Sequence, residues 1–293
     1  MDFKKLTPDH IDELRPYLKD CKSRICDCSI GGIFMWRDYF KTEYAIEGET
    51  LFLRVCDFNG GTAYAVPMGG DVKAAILKVE KYCRDNGVPP EFCMVPTEQL
   101  ELVLSTLPSA KYHTDSAWYD YLYNAEDIRN FAGRKYQGQR NHVNKFCRQY
   151  ENWKFEVMDK ALAGKTIEFM QQFLDADDGS SPTLTEGNLK AVEILREFDK
   201  YKPLGGVLTV GGEIVGFSLG EIIYDTLFIH VEKSLREFEG SYPMLVREFA
   251  QCFAVDGVQY INREEDDGDE GLRISKSSYH PVRLLEKYAV TMF

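Results

Sequence analysis

The alternation of apolar and polar residues divides the chain into helices and strands. Val72, Ala75, Ile76 and Val79 fall on one helical face and predict a helix over 71–85. Similar spacing predicts helices near 8–19, 162–174, 184–201 and 241–254. Thr183 and Glu186 have capping-box spacing at the start of 184–201, and Ser241 with Pro243 suits the first turn of 241–254. Short apolar runs predict strands near 43–46, 51–55, 63–67, 92–95 and 118–123 in a first half. A second half offers strands near 153–157, 226–233, 259–263 and 284–291. Between them, "LGGVLTVGGEIVGFSLGEII" reads as a hairpin, because Gly211 and Gly212 tolerate the positive φ angles of a two-residue turn.

The chain of 293 residues suits one large domain or two ordinary ones. Its 44% hydrophobic content with 13% aromatics is enough for a packed core. A net charge of −12 argues against a protein that coats DNA, which needs broad positive potential. The first residues carry no apolar leader-like stretch, and no run approaches the roughly 20 apolar residues of a spanning helix. The eight cysteines lack the regular spacing of a disulfide scaffold. Cys21, Cys26 and Cys28 lack a second ligand pair for zinc, so buried reduced thiols and no metal are expected. These features predict a cytoplasmic protein with no integral membrane contact.

Four stretches carry a family resemblance: "DCSIGGIFMWRDYF" with "TEYAI", "KYQGQRNHVNKF", "HVEK" followed by "GSYP", and "INREEDDGDEGLRISKSSYHP". In this order they span nearly the whole chain, which resembles the catalytic domain of phosphatidylglycerol lysyltransferases and their soluble relatives. The resemblance implies an α/β (α+β) chain of two tandem acyl-CoA N-acyltransferase (GNAT-like) folds, as in the Fem peptidyltransferases. Each would be a mixed, mostly antiparallel sheet flanked by helices, with domains 1–148 and 149–293. It also implies acyl transfer from aminoacyl-tRNA, with tRNA as partner. The acceptor would be a small molecule, a peptide or a lipid headgroup. His230, Glu232, Lys233, Gly240 and Tyr242 lie in the matched elements and become substrate-binding candidates.

Six basic residues and no acid stand between Arg129 and Arg148. On a helix through 139–150, Val143, Phe146, Cys147 and Tyr150 share the apolar face, opposite Asn141, Asn144, Lys145 and Arg148. A solvated basic face is the plain reading. The cluster with Arg134, Lys135 and Arg140 favours an anion-binding surface for a tRNA backbone or a lipid headgroup, and Arg140 suits bidentate phosphate contact.

Acetyltransferases of this fold cradle the coenzyme A pyrophosphate on an R/Q-x-x-G-x-G/A turn. Here Arg236 is followed at the third place by Glu239, and Tyr242 follows Ser241, which stands at the last small place. A carboxylate in the turn and a bulky ring beside it argue against coenzyme A.

Residues Glu264 to Glu270 hold six acids in seven positions. An EF-hand is excluded, because Arg263 and Ile274 occupy two ligand positions. Asp267 and Glu270 have capping-box spacing, so Glu265, Asp266, Asp269 and Glu270 read as a charged helix start. Strand alternation places Asn262 and Glu264 together at the carboxyl edge, where α/β sheets carry active sites. Arg273 and Lys276 follow one helical turn on, then Tyr279. Glu264 or Asp267 is the candidate base, Lys276 or Arg273 the oxyanion stabiliser, and Tyr279 the proton relay. Asn262 and Arg273 join the substrate-binding set. Alternation also puts Phe228, His230 and Glu232 on one face, where His230 reads equally as a packing residue. An acetyl-coenzyme A enzyme and a binding module without turnover are the competing readings.

Overall fold

A computed structural model describes residues 1–19, 21–56 and 60–292. The chain opens with β1 (Lys4–Lys5), α1 (Ile11–Lys19), α2 (Ile30–Met35), β2 (Glu43–Glu47), β3 (Thr50–Cys56) and β4 (Thr62–Tyr64). It continues through α3 (Val72–Asp85), β5 (Glu91–Pro96), α4 (Thr97–Thr106), β6 (Lys111–Thr114), β7 (Asp120–Asn124), α5 (Ala125–Asn130) and α6 (Gln137–Gln149). Then come β8 (Trp153–Val157), α7 (Lys160–Asp175), α8 (Pro182–Arg196), α9 (Phe198–Tyr201), β9 (Leu204–Val210) and β10 (Glu213–Ile223). The last elements are β11 (Thr226–Ser234), α10 (Ser241–Phe253), β12 (Tyr260–Asn262), α11 (Glu270–Ser277), β13 (Arg283–Leu285) and β14 (Lys287–Thr291).

Among the described residues these strands form two mixed seven-stranded sheets, β1-β2-β3-β4-β5-β14-β6 and β13-β7-β12-β11-β10-β9-β8. Most pairings are antiparallel, and β4–β5 and β11–β12 are parallel. The expected fold class of mixed sheets flanked by helices therefore holds. One compact unit comprises Met1–Asp120, Glu265–Asp269 and Leu284–Phe293; the other comprises Tyr121–Glu264 and Glu270–Arg283. The expected division at 148/149 falls between α6 and β8, inside the second unit. The cause lies in strand pairing: β7 bonds β12 of the second sheet, whereas β14 inserts between β5 and β6 of the first.

In the first unit, Ala75, Ile76 and Val79 of the predicted α3 stripe are buried with Cys83 against Phe52, Tyr64, Phe92 and Val95, and Val72 packs partly buried beside them. In the second, the predicted apolar face of α6 buries Val143 and Phe146 under α10, with Cys147 and Tyr150 packed beside them. α7 and α8 form another helical pair, and Phe169 of α7 meets Phe217 of β10 edge-on. The hairpin turn is as expected, with φ of 60° and 92° at Gly211 and Gly212. Two predicted caps differ. Ser181, not Thr183, caps α8 by accepting from Leu184 N, since Pro182 preorganises the first turn there. Gly240 holds the N-cap place of α10 at φ 89°, and Ser241 Oγ donates instead to the Leu235 carbonyl at 3.0 Å.

Candidate active site

β11 pairs with β12 only from Thr226–Tyr260 to Phe228–Asn262. On the other edge of β11 the register with β10 slips: Leu219 faces Val231, but Gly220 faces Ile229. His230 is thus the extra residue of a bulge, which bends a strand and re-aims its side chains. Gly220 belongs to this device, because a Cβ there would lie 2.2 Å from the Phe228 carbonyl oxygen.

Beyond the last ladder pair, side chains join the two strands. His230 Nδ1 lies 2.7 Å from Glu264 Oε1, and its Nε2 lies 3.0 Å from Glu221 Oε1. The imidazole stacks on Phe228 at 6.4 Å. Burial opposes the ring's charge, but the hydrogen bonds to Glu221 and Glu264 outweigh it and raise the pKa to about 10. His230 is therefore an imidazolium at neutral pH and donates from both nitrogens.

The second bridge runs from Arg263, whose Nε and Nη2 donate to Glu232 Oε2 at 2.8 and 2.7 Å. Its guanidinium lies 4.6 Å over the Tyr279 ring and 5.9 Å from that of Tyr123. Burial works against this charge too, and Glu232 more than offsets it. Here the predicted alternation is corrected. Glu232 pairs with Ser218 and Phe228 with Glu221 on opposite faces of β10, and His230 sides with Phe228 and Glu221, so Glu232 and His230 do not share a face. The bulge at His230 breaks the two-residue period.

Lys233 points to the α7–α8 side. Its Nζ donates to Asn188 Oδ1 at 2.7 Å and lies 5.6 Å from the Phe173 ring. Asn188 Nδ2 in turn donates to Asp177 Oδ2 at 3.1 Å, and Asp177 also accepts from Thr185 Oγ1. Burial lowers the Lys233 pKa, with Asp177 as the opposing influence.

Other predicted residues have local duties. Asn262 is fully buried, and its Oδ1 accepts from Glu264 N at 2.6 Å, which holds Glu264 at φ 59°. Lys276 Nζ donates to the Arg263 and Glu264 carbonyl oxygens at 2.6 and 3.2 Å, and fixes the turn after β12. Tyr279 is buried; burial lifts its phenol to about 12, and its carbonyl accepts from Tyr136. Asp267 and Arg273 are exposed, whereas the Glu264 carboxylate turns inward to His230. Tyr242 is half-buried, and burial raises its pKa. Gly240 has a packing reason: a Cβ would sit 2.5 Å from the His142 carbonyl oxygen of α6.

The basic stripe is partly spent on structure. Arg140 Nη1 donates to the Phe131 and Gly133 carbonyls after α5, so part of the guanidinium expected to meet phosphate is bound to the protein itself. Lys145 pairs with Glu239 at 2.6 Å. Asn141, Asn144 and Arg148 are exposed.

The acidic run divides between the units. In the first unit, Lys287 is buried with its Nζ 2.7 Å from Asp27 and Asp120, 3.2 Å from Glu265 and 3.3 Å from Cys26 Sγ. Cys26, Asp120 and Glu265 have ligand-like proximity, and the Lys287 ammonium supplies their cation. Burial, aided by Glu265 and Asp27 against Lys287, raises the Asp120 pKa to about 7. Asp266 is buried and accepts from Gly268 N. Glu265 and Asp266 thus pair with Lys287 and with the turn at Gly268, and the charged helix start begins later, at Glu270.

Sequence reasoning missed Glu221, Asp177 and Asn188. A glycine inside a strand pattern, Gly220, was the available signal of the bulge that brings Glu221 to His230.

The family described as phosphatidylglycerol lysyltransferase, C-terminal, matches residues 19–291. The chain belongs to this family. A protein of unknown function from Bacteroides thetaiotaomicron is similar in structure, with a TM-score of 0.90 and 28% identity over 100% of both chains. L-PGS from Bacillus licheniformis is similar in fold, with a TM-score of 0.70 and 15% identity, covering 99% of this chain and 93% of that one. An uncharacterized protein of Mycoplasmoides gallisepticum is 24% identical over 194 residues, 66% of this lysyltransferase-family chain. The match spans 61% of that relative's length.

Proposed function

We propose that this lysyltransferase-family chain is an acyltransferase that moves an aminoacyl group from aminoacyl-tRNA to a hydroxyl or amine acceptor. The observation that carries the reading is the parting of β11 from β12, bridged by two charged pairs, with the Lys233 amine on the same strand. Such a transfer breaks the ester bond to the ribose oxygen and forms a new ester or amide. One proton passes from the acceptor to the departing ribose oxygen. Lys233 suits that transfer, since burial brings its pKa down towards the working range of a general base. Glu264 is the weaker candidate for the base, because its carboxylate is turned inward and hydrogen-bonded to His230. It serves as a hydrogen-bonding and charge-orienting group.

The turn before α10 supports a donor other than coenzyme A. Glu239 places a carboxylate in it, paired with Lys145, and the α6 backbone approaches Gly240 closely. Both work against a diphosphate on those amides. The exposed Arg148 and Asn144 provide a face for screened phosphate contacts.

The test is transfer of a labelled amino acid from charged tRNA to phosphatidylglycerol vesicles, to peptides and to simple amines. The expected result is salt-sensitive transfer to one acceptor class. Lys233→Met is expected to lower kcat by roughly 10²-fold or more, with tRNA affinity kept. Absence of transfer to all three acceptors, or micromolar coenzyme A binding with acetyl transfer, overturns the reading.

A further inference from the structure

Of five buried side-chain polar atoms in the second unit that have no hydrogen-bond partner among the described residues, three are Ser218 Oγ, Glu232 Oε1 and Arg263 Nη1. These three belong to one neighbourhood. Ser218 is the cross-strand register partner of Glu232, and Glu232 holds Arg263 through its other oxygen. Ser218 is fully buried, and Arg263 is 8% exposed. A buried group left unpaired forfeits its hydration without return, and folded proteins keep few of them. Three in one network point to an occupant that brings matching groups.

The atoms specify that occupant. A carboxylate oxygen accepts only, a guanidinium N–H donates only, and a hydroxyl does either. The occupant must therefore present a donor close to an acceptor. Glu232 and Arg263 balance each other's charge, so a phosphate or a simple carboxylate would leave Glu232 Oε1 facing another anion. An ammonium three bonds from a carbonyl oxygen meets both demands, and that is the head of an α-amino ester or amide. Tyr279 and Tyr123 support the guanidinium from its ring side.

We propose that Ser218, Glu232 and Arg263 form the subsite for the α-amino and carbonyl groups of the aminoacyl donor. Glu232 Oε1 takes the ammonium, Arg263 Nη1 donates to the carbonyl oxygen, and the Ser218 hydroxyl bonds whichever group lies over β10. The assignment rests on the aminoacyl-transfer reading and adds its recognition residues, none of which depends on the amino acid's side chain.

The experiment titrates the full chain by NMR with glycinamide, with ethylamine, which lacks the carbonyl, and with acetamide, which lacks the ammonium. Glycinamide is expected to bind roughly tenfold or more tightly than either fragment. Ser218→Ala and Glu232→Gln, checked for folding by thermal melting, are each expected to weaken it by about fivefold or more. Ser218→Ala keeps the test open should Glu232→Gln fail to fold. Equal binding of all three probes, or a crystal grown with glycinamide that shows only ordered water at Ser218, overturns the proposal. Specific glycinamide binding without transfer from charged tRNA supports the subsite while the transfer reading falls. Transfer whose KM for charged tRNA is unchanged in folded Ser218→Ala and Glu232→Gln overturns the subsite and leaves transfer standing.

Discussion

His230 keeps a proton far above the ordinary range of imidazole because two carboxylates hold it inside the fold. The linkage sign follows from the raised value. An imidazole with a pKa of about 10 in the fold, against about 6.5 when unfolded, contributes stability that is complete below pH 6.5. That contribution is lost as pH rises through 10. Urea denaturation from pH 6 to 10 should show a decline above neutrality that largely disappears in His230→Gln. Identical pH profiles for the two proteins would show that the ring is neutral or unpaired. At this scale the sequence named His230 and Glu264 separately but did not join them. Their contact depends on one extra residue in a strand, and a periodic reading assumes that no such residue exists. Glycine at 220 hinted at the irregularity without saying which side chains it would bring together.

Helix α6 shows where element-scale reading succeeds and where it stops. Its apolar face follows from spacing alone, and Val143 and Phe146 are buried as that spacing requires. The basic face carries no comparable rule, because long cationic side chains choose partners by tertiary geometry. Arg140 turns back to the carbonyls of Phe131 and Gly133, where a left-handed Phe131 ends α5 and leaves acceptors to be satisfied. Arg140→Ala should therefore cost about 1–3 kcal/mol in urea denaturation, since it unmakes charge-assisted hydrogen bonds. Filter binding should give a tRNA affinity within about twofold of the parent, because this guanidinium is committed to the protein. A large loss of tRNA affinity with unchanged stability would restore the phosphate role. The caps of α8 and α10 teach the same limit. Local spacing proposed Thr183 and Ser241, but Pro182 and the close approach of α6 to Gly240 decided the actual helix starts.

Across the whole chain, sequence order concealed which sheet the boundary strands join. A strand near 118–123 and another near 284–291 were legible as strands. Their sheets were not, because pairing depends on partners far away in sequence: β7 bonds β12, and β14 bonds β5 and β6. The return of the C-terminal strand to the first unit brings Lys287 to carboxylates from three distant segments, Asp27, Asp120 and Glu265. One ammonium among three carboxylates is an unequal set, and burial, together with the neighbouring Glu265 and Asp27, raises the Asp120 pKa to about 7. Removing the cation makes the imbalance worse, since the remaining acids face one another in a poorly solvated place. Lys287→Met should lower the unfolding free energy by about 3–5 kcal/mol, the usual loss when one partner of a buried ion pair is removed. Adding Asp120→Asn and Glu265→Gln to Lys287→Met should recover part of that loss, because two of the stranded charges are then gone. Urea denaturation of the single and triple variants decides the matter. A single variant as stable as the parent, or a triple variant weaker than the single one, would show that Lys287 does not anchor β14 through its charge.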